Sequence, residues 1–410
     1  MTKKKFRGIL GIILMMAMMS VMQMLYPLKI ALLGLLLLLC FGEAKVCRQN
    51  RLLCSFLCAS SLLGIFVGAI VGTPYPFHGI TVGVLWPIFS LIIVTPLLKT
   101  DRDYTIMIKW MFFMHSFLII YDLVYAVSII RGTPIINLYP EMENVAFSFY
   151  ETTSRMGFVN LNTLTFTTPL FFLLYLTHYD FGVSRKVQFA FLLLNLFLLI
   201  FSGRRSLMLI FILAPLFTII FQGLFPKKAS AETKKYLSLI LIFIVGALGY
   251  VYTTMPEVFE GYLFTFTKAF DSEEESTKFN QARMLWGHFM DNPLLGSGAG
   301  AEFYEADRGI RQHQFELTYL LKLATGGIIG FTLYIMGSVG ALLVGFKYAR
   351  KRKDVLFICI LFAFFFVLLA DATNPVLCSF DLMLPLFLVY AKINSCVFNY
   401  NIVEINESKV

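Results

Sequence analysis

The sequence predicts an all-α, polytopic membrane protein of about twelve transmembrane helices, with one long external loop between the ninth and the tenth. Three observations carry this expectation. Mean hydropathy is +0.76, and only 14% of the 410 residues are charged. Apolar runs of about twenty residues recur along the whole chain, each long enough to cross ~30 Å of hydrocarbon as a helix. Lysine and arginine are concentrated in alternate loops between these runs. A transmembrane β-barrel would instead show short segments of alternating polarity, and none is present.

The expected spans are 6–25, 28–43, 52–72, 80–98, 105–129, 160–178, 188–202, 206–225, 237–254, 326–347, 355–371 and 379–397. The first follows Lys3, Lys4, Lys5 and Arg7. It is expected to be retained, because it lacks a small-x-small cleavage site and another span follows at once. The further basic clusters are Lys45, Arg48 and Arg51; Lys99 and Arg102; Arg185 and Lys186; Lys227, Lys228, Lys234 and Lys235; and Arg350 to Lys353. All fall on one side if the spans alternate. The positive-inside rule makes that side the cytoplasm, with both termini there. The expected organisation is nine spans over 1–254, an external loop over 255–325 carrying part of the active site, and three spans with a cytoplasmic tail over 326–410.

The net charge of +9 does not indicate nucleic-acid binding, because the basic residues sit in short loops where they set orientation. The seven cysteines show no metal-ligand spacing, and Cys54 and Cys58, one turn apart in an apolar span, read as packing. Neither a metal nor a cofactor is expected.

The exceptions to this pattern mark the candidate site. Arg204 and Arg205 form a positive pair on the external side, between two apolar spans with almost no loop. Arginines at such a boundary either anchor a helix end at lipid phosphates or hold a substrate phosphate with their planar donor fork. Arg155 stands close to the same boundary, before the sixth span. Residues 255–313 of the long loop carry ten acidic and five basic residues; the acidic run Asp271 to Glu275 reads as a solvated face. Within it, Arg283 precedes Asn292-Pro293 and Gly296, Gly298 and Gly300, which read as a turn with backbone kinks. Arg308, Arg311, His313 and Glu316 then approach the tenth span at intervals of two or three residues. On a helical approach they would share neighbouring faces. Desolvation of Glu316 beside the glycine-marked helix (Gly326, Gly327, Gly330) would suit a general base; a salt bridge to Arg311 or Lys322 is the structural alternative. Asp122, Asp371 and Asp381, near external helix ends, are expected to offset the arginines. His115 alone falls mid-span.

Four stretches resemble the O-antigen polymerase and ligase superfamily. They are Arg155 to Asn162, Ser202 to Ser206 with Arg205 the closer match, Arg283 to Gly298, and Glu316 to Gly330. Together with the topology, the resemblance implies a glycosyltransferase acting on undecaprenyl-diphosphate-linked oligosaccharides without a metal. The product would be O-antigen, capsule or exopolysaccharide. Membrane lipids, a chain-length regulator and a flippase are the partners it suggests. Glu316 or His313 would act on the acceptor; Arg205, Arg204, Arg283, Arg155, Arg308 and Arg311 would bind diphosphate or glycan. In one respect the chain departs from the family: Glu316 occupies the slot of a histidine on which the ligases lean. That favours a polymerase over a ligase. A lipid-linked oligosaccharide flippase is the alternative of another class, but it calls for inverted repeats and charges lining the midplane.

Overall fold

The computed structural model describes residues 2–20, 24–133, 149–150, 155–156, 158, 161–202, 205–221, 223, scattered positions between 242 and 260, 277–305, 309–372 and 374–407. They are overwhelmingly helical. The helices are α1 Lys3–Ser20, α2 Tyr26–Cys40, α3 Arg48–Val71, α4 Trp86–Leu97, α5 Asp101–Ile130, α6 Leu161–Leu176, α7 Arg185–Ser202, α8 Arg205–Ile220, α9 Thr277–Asp291, α10 Thr318–Arg352, α11 Val355–Asp371 and α12 Leu384–Glu407. Eleven of the twelve expected spans coincide with a helix. The ninth, 237–254, lies largely outside the described residues.

Five helical segments are long and apolar enough to cross a membrane: Tyr26–Glu43, Arg48–Val71, Asp101–Ser128, Thr318–Arg352 and Asp381–Phe398. Thr81–Leu97, Leu161–Leu176 and Val355–Asp371 are shorter apolar helices. Leu38, Phe66, Ile70 and Leu343 turn fully outward, which suits lipid far better than water. The molecule is a polytopic α-helical membrane protein.

Local sequence explains where the helices start and stop. Pro27 opens α2, where its missing N–H is no loss. Gly72, left-handed with φ 77°, closes α3 and donates its N–H to Gly68 O. At α5, Thr100 Oγ1 accepts from Asp103 N while Asp103 accepts from Thr100 N, a reciprocal cap. Asp354 caps α11 by accepting from Phe357 N at 2.9 Å.

The chain forms two compact units, residues 1–107 with 275–410, and residues 108–274. In the first, α3 lies along α10, α11 packs on α10 and α12, and α4 packs on α2 and α12. Small residues allow the α3–α10 approach. Gly337 and Gly340 face Leu57 and Leu53, and Ser60 Oγ donates to Gly330 O at 2.7 Å.

This unit has two distinct ends. At the basic end, Arg7 bonds Glu43 and Pro96 O. Asn394 bonds Cys47 N and Lys45 O. Ser395 Oγ donates to Lys99 O, and Lys392 reaches Asp354 at 2.8 Å and Asp101 at 3.5 Å. At the opposite end, α9 and a two-stranded hairpin, Phe303–Glu305 with Ile310–Gln312, cap the bundle. Leu285, Ala301, Phe303, Phe315 and Ala324 form a small core beneath them.

In the second unit, α6 is buried along its whole length and packs on α7 and α8. His115 of α5 meets Thr167 of α6, Nδ1 to Oγ1 2.9 Å, and Asn195 of α7 donates to Thr168 Oγ1 at 2.7 Å. A two-residue antiparallel pairing joins Phe149–Tyr150 to Arg155–Met156.

Candidate functional site

The site begins from a backbone device. α10 is broken at Gly327, whose φ of 59° and ψ of −171° interrupt the helix. A break of this kind strands carbonyl and N–H groups that an apolar setting cannot satisfy. The glycine-rich segment of the long loop fills it. Ser297 and Gly298 donate to the carbonyls of Ala324 and Thr325, both at 2.9 Å. In return the N–H groups of Ile328 and Ile329 donate to Pro293 O and Leu294 O. The same segment docks on α3: Ala299 N donates to Gly64 O at 2.7 Å, and Thr73 Oγ1 donates to Ala299 O at 2.6 Å. A Cβ at Gly298 would overlap the backbone of Val67 and Gly68, so only glycine permits this approach. The turn with kinks expected over 292–300 is thus a splice between two helices.

The splice brings the hairpin's exit over the turn that follows α3. His313 lies against Tyr75, with ring centroids 4.8 Å apart, and edge-on to His78 at 4.6 Å. Burial first, then His313 and Lys322, hold the His78 pKa below the ordinary histidine value. Lys322, one turn into α10, stands over the Tyr334 ring at 5.4 Å. The Tyr334 hydroxyl donates to Asp371 Oδ2 at 2.9 Å, and Leu377 N donates to Asp371 Oδ1 at 2.8 Å.

Glu316 pairs with Lys278 of α9 at 2.9 Å, with both side chains substantially exposed (40% and 47%). Two expectations change here. The partner is Lys278 rather than Arg311 or Lys322, and the carboxylate is not sequestered in an apolar setting. Nor is the approach to α10 helical. Residues 310–312 form a strand opposite Phe303–Glu305, so Arg311 pairs across with Tyr304 and points to solvent. A strand alternates its faces with period two, which dissolves the shared helical face expected for Arg311, His313 and Glu316; Arg308 lies outside the described residues. α10 itself begins at Thr318, ahead of the expected 326.

Arg283 is exposed on α9. Arg155 belongs to the strand pairing of the second unit, opposite Tyr150, and Arg205 is the first residue of α8. The side chains of Arg155 and Arg205, and Arg204 and Arg308 altogether, lie outside the described residues. Asp381 and Asp371 have partners of their own: Asp381 takes Lys29 at 2.8 Å, both side chains buried, and Asp371 takes Tyr334.

Sequence reasoning missed Lys278, Tyr75, His78 and Lys29. His78 carried a usable signal, since it sits in the short Thr73 to Gly79 turn with two prolines, a place where a span connection needs no histidine.

The family model described as O-Antigen ligase matches residues 189–335. This segment is similar to the O-antigen ligase family, consistent with the O-antigen polymerase and ligase superfamily. Inside the superfamily segment lie Arg204, Arg205, Arg283, Arg308, Arg311, His313, Glu316 and the Gly327 break; Arg155 lies before it. A comparison with curated proteins finds no match. The superfamily match supports an O-antigen ligase- or polymerase-type function, that of a glycan-modifying membrane enzyme.

Proposed function

We propose that the chain is a glycan-repeat polymerase, joining polyprenyl-diphosphate-linked oligosaccharides at the outer face of the cytoplasmic membrane. The carrying observation is a carboxylate, Glu316, ion-paired to Lys278, in the superfamily slot where ligases use a histidine. In the proposed reaction a hydroxyl of the acceptor repeat attacks the anomeric carbon of the donor chain. The bond to the diphosphate breaks through an oxocarbenium-like state, the diphosphate leaves with the electron pair, and the hydroxyl proton passes to Glu316 or His313. Arg205 and Arg204 neutralise the diphosphate, with Arg283, Arg155, Arg308 and Arg311 in support, and no metal takes part. Two or three charge-assisted contacts of about 1.5–3 kcal/mol each would suffice to hold the leaving group.

The test is complementation of a strain deleted for the gene. A lost polymerase leaves single repeats on the final acceptor. Arg205→Ala and Glu316→Gln should each reproduce that phenotype at normal protein level. Wild-type polymer length and amount in the Arg205→Ala strain would remove Arg205 from the mechanism. The second reading, a ligase, is favoured by the description of the matching family. It predicts instead that long lipid-linked polymer accumulates when the gene is lost.

A further inference from the structure

We propose that α9 is an interfacial helix, seated in the lipid leaflet at its own end of the bundle by the face it turns away from the protein. The partner is the bilayer surface, met by a helix that lies outside the expected spans. Such a seat serves a polymerase and a ligase alike, so the failure of either functional reading would leave it standing.

α9 is apolar on two sides. Toward the protein, Leu285 is fully buried in the small core beneath the cap, and Gln281 donates to Glu305 Oε1 at 2.6 Å. That side holds the helix to the bundle, and in water the other would be polar. Instead Trp286 is 51% exposed and Met290 59%. With Arg283, also exposed, they stand at i, i+3 and i+7 and share one face. The apolar surface does not stop with the helix, because Leu294 and Leu295 follow, 65% and 45% exposed.

What covers this surface follows from where it leads. Pro293 O and Leu294 O accept from the N–H groups of Ile328 and Ile329 at 2.9 and 3.3 Å. Leu294 and Leu295 are therefore held at the point where α10 resumes after its break. From there Ile329, Met336 and Leu343 turn outward at seven-residue intervals, a stripe about 21 Å long. The stripe belongs to a segment long and apolar enough to cross a membrane. Lipid covers it, and the exposed face of α9 prolongs it at the hairpin end. The residue types suit that boundary: tryptophan is enriched at membrane interfaces, and a guanidinium such as that of Arg283 pairs well with phosphate. Lys278 of the same helix meets Glu316 at 2.9 Å, so a lipid seat for α9 fixes that carboxylate near the headgroups.

The full chain carrying Trp86→Phe and Trp110→Phe keeps Trp286 as its one tryptophan. Its emission is measured in phosphatidylcholine nanodiscs against three quenchers: lipid brominated near the start of the acyl chain, lipid brominated near the methyl end, and aqueous acrylamide. An interfacial helix sinks its apolar face roughly 5–10 Å into the boundary of headgroups and chains. The near bromines should therefore lower emission about twofold or more, and the far bromines and acrylamide much less. Adding Met290→Asp and Leu294→Asp should make acrylamide the strongest quencher; unchanged lipid quenching there would overturn the seat. Strong acrylamide quenching of the parent, with none from either lipid, would put the face in water and overturn it. Protection from all three would give the face to protein, either residues 222–276 or a second copy of the chain, and overturn it equally. Stronger quenching by the far bromines would place α9 across the membrane, with the same consequence. Should the double-phenylalanine background fail to fold, the difference in quenching between the wild type and Trp286→Phe reads the same residue.

Discussion

Lys29 and Asp381 are joined across 352 residues by two contacts of 2.8 and 2.9 Å, with neither side chain meaningfully exposed. Tyr26 adds its ring 5.7 Å from the ammonium. Removing one partner strands a buried charge, and about 3–5 kcal/mol of stability should go with it. Lys29→Met or Asp381→Asn alone should therefore lower the melting temperature in detergent markedly. Lys29→Met combined with Asp381→Leu should recover most of the loss, because an apolar pair of similar volume replaces the ions without desolvating a charge. A double variant as unstable as the singles would show that the pair fixes geometry that packing cannot. In the sequence, a lone lysine at a span end reads as an anchor that reaches back to the interface, and the aspartate reads as a counter-charge for whatever arginine is near. Nothing local links two residues so far apart, so the pairing could not be read before the helices were assembled.

The break in α10 teaches a different lesson. Gly326, Gly327 and Gly330 are visible as a weak point in an apolar helix, and Gly296, Gly298 and Gly300 as kinks in a loop. Their mutual dependence is not visible, because it consists of backbone hydrogen bonds, which carry no residue signature. Gly327 combines a left-handed φ with contact against the Leu294 and Leu295 backbone. Gly309 has a similar φ of 64° but open space around it. Alanine at Gly309 should thus add only backbone strain, of about 1–3 kcal/mol. Alanine at Gly327 should add a similar strain and also expel the 293–295 segment, losing the bonds to Ile328 and Ile329. The measurable outcome is a larger drop in melting temperature for Gly327→Ala, together with faster proteolysis of the loop between α9 and the hairpin. Equal effects for the two variants would mean that the splice contributes nothing to stability. The α9 and hairpin elements were equally hidden. Short strands and an amphipathic fifteen-residue helix inside a charged loop have no apolar run to announce them.

For the whole molecule, the hydropathy pattern and the alternating basic loops made the class plain, since lipid demands long apolar helices and little else. Arg7, Glu43, Lys45, Lys99, Asp354 and Asn394 group at one end of the first unit, whereas α9 and the hairpin sit at its opposite end. The twelve-span expectation adds a crossing at the apolar run 237–254, which lies largely outside the described residues. Reporter fusions check this directly. Green fluorescent protein joined after Lys228 should fluoresce, and alkaline phosphatase joined after Ser272 should be active. Fluorescence from fusions at both positions would leave only an even number of crossings and break the twelve-helix topology. The sidedness of Glu316 and the arginine pair would have to be drawn again with it.

The glycine-rich segment that closes the gap in α10 also rests on α3, and Thr73 and Ala299 are 226 residues apart. A ribosome making roughly 5–20 residues per second needs about 10–50 s to travel that distance. Throughout that interval the Val71 end of α3 waits with its docking face uncovered, and Gly64 O lacks the Ala299 N–H that will later donate to it. The cap of α9 and the hairpin can settle only after the first turns of α10 have emerged, so it is among the last parts of the first unit to assemble. A truncated chain ending before Thr318 would insert its earlier helices yet leave the loop without its seat, a natural point for quality-control proteases to distinguish unfinished molecules from finished ones.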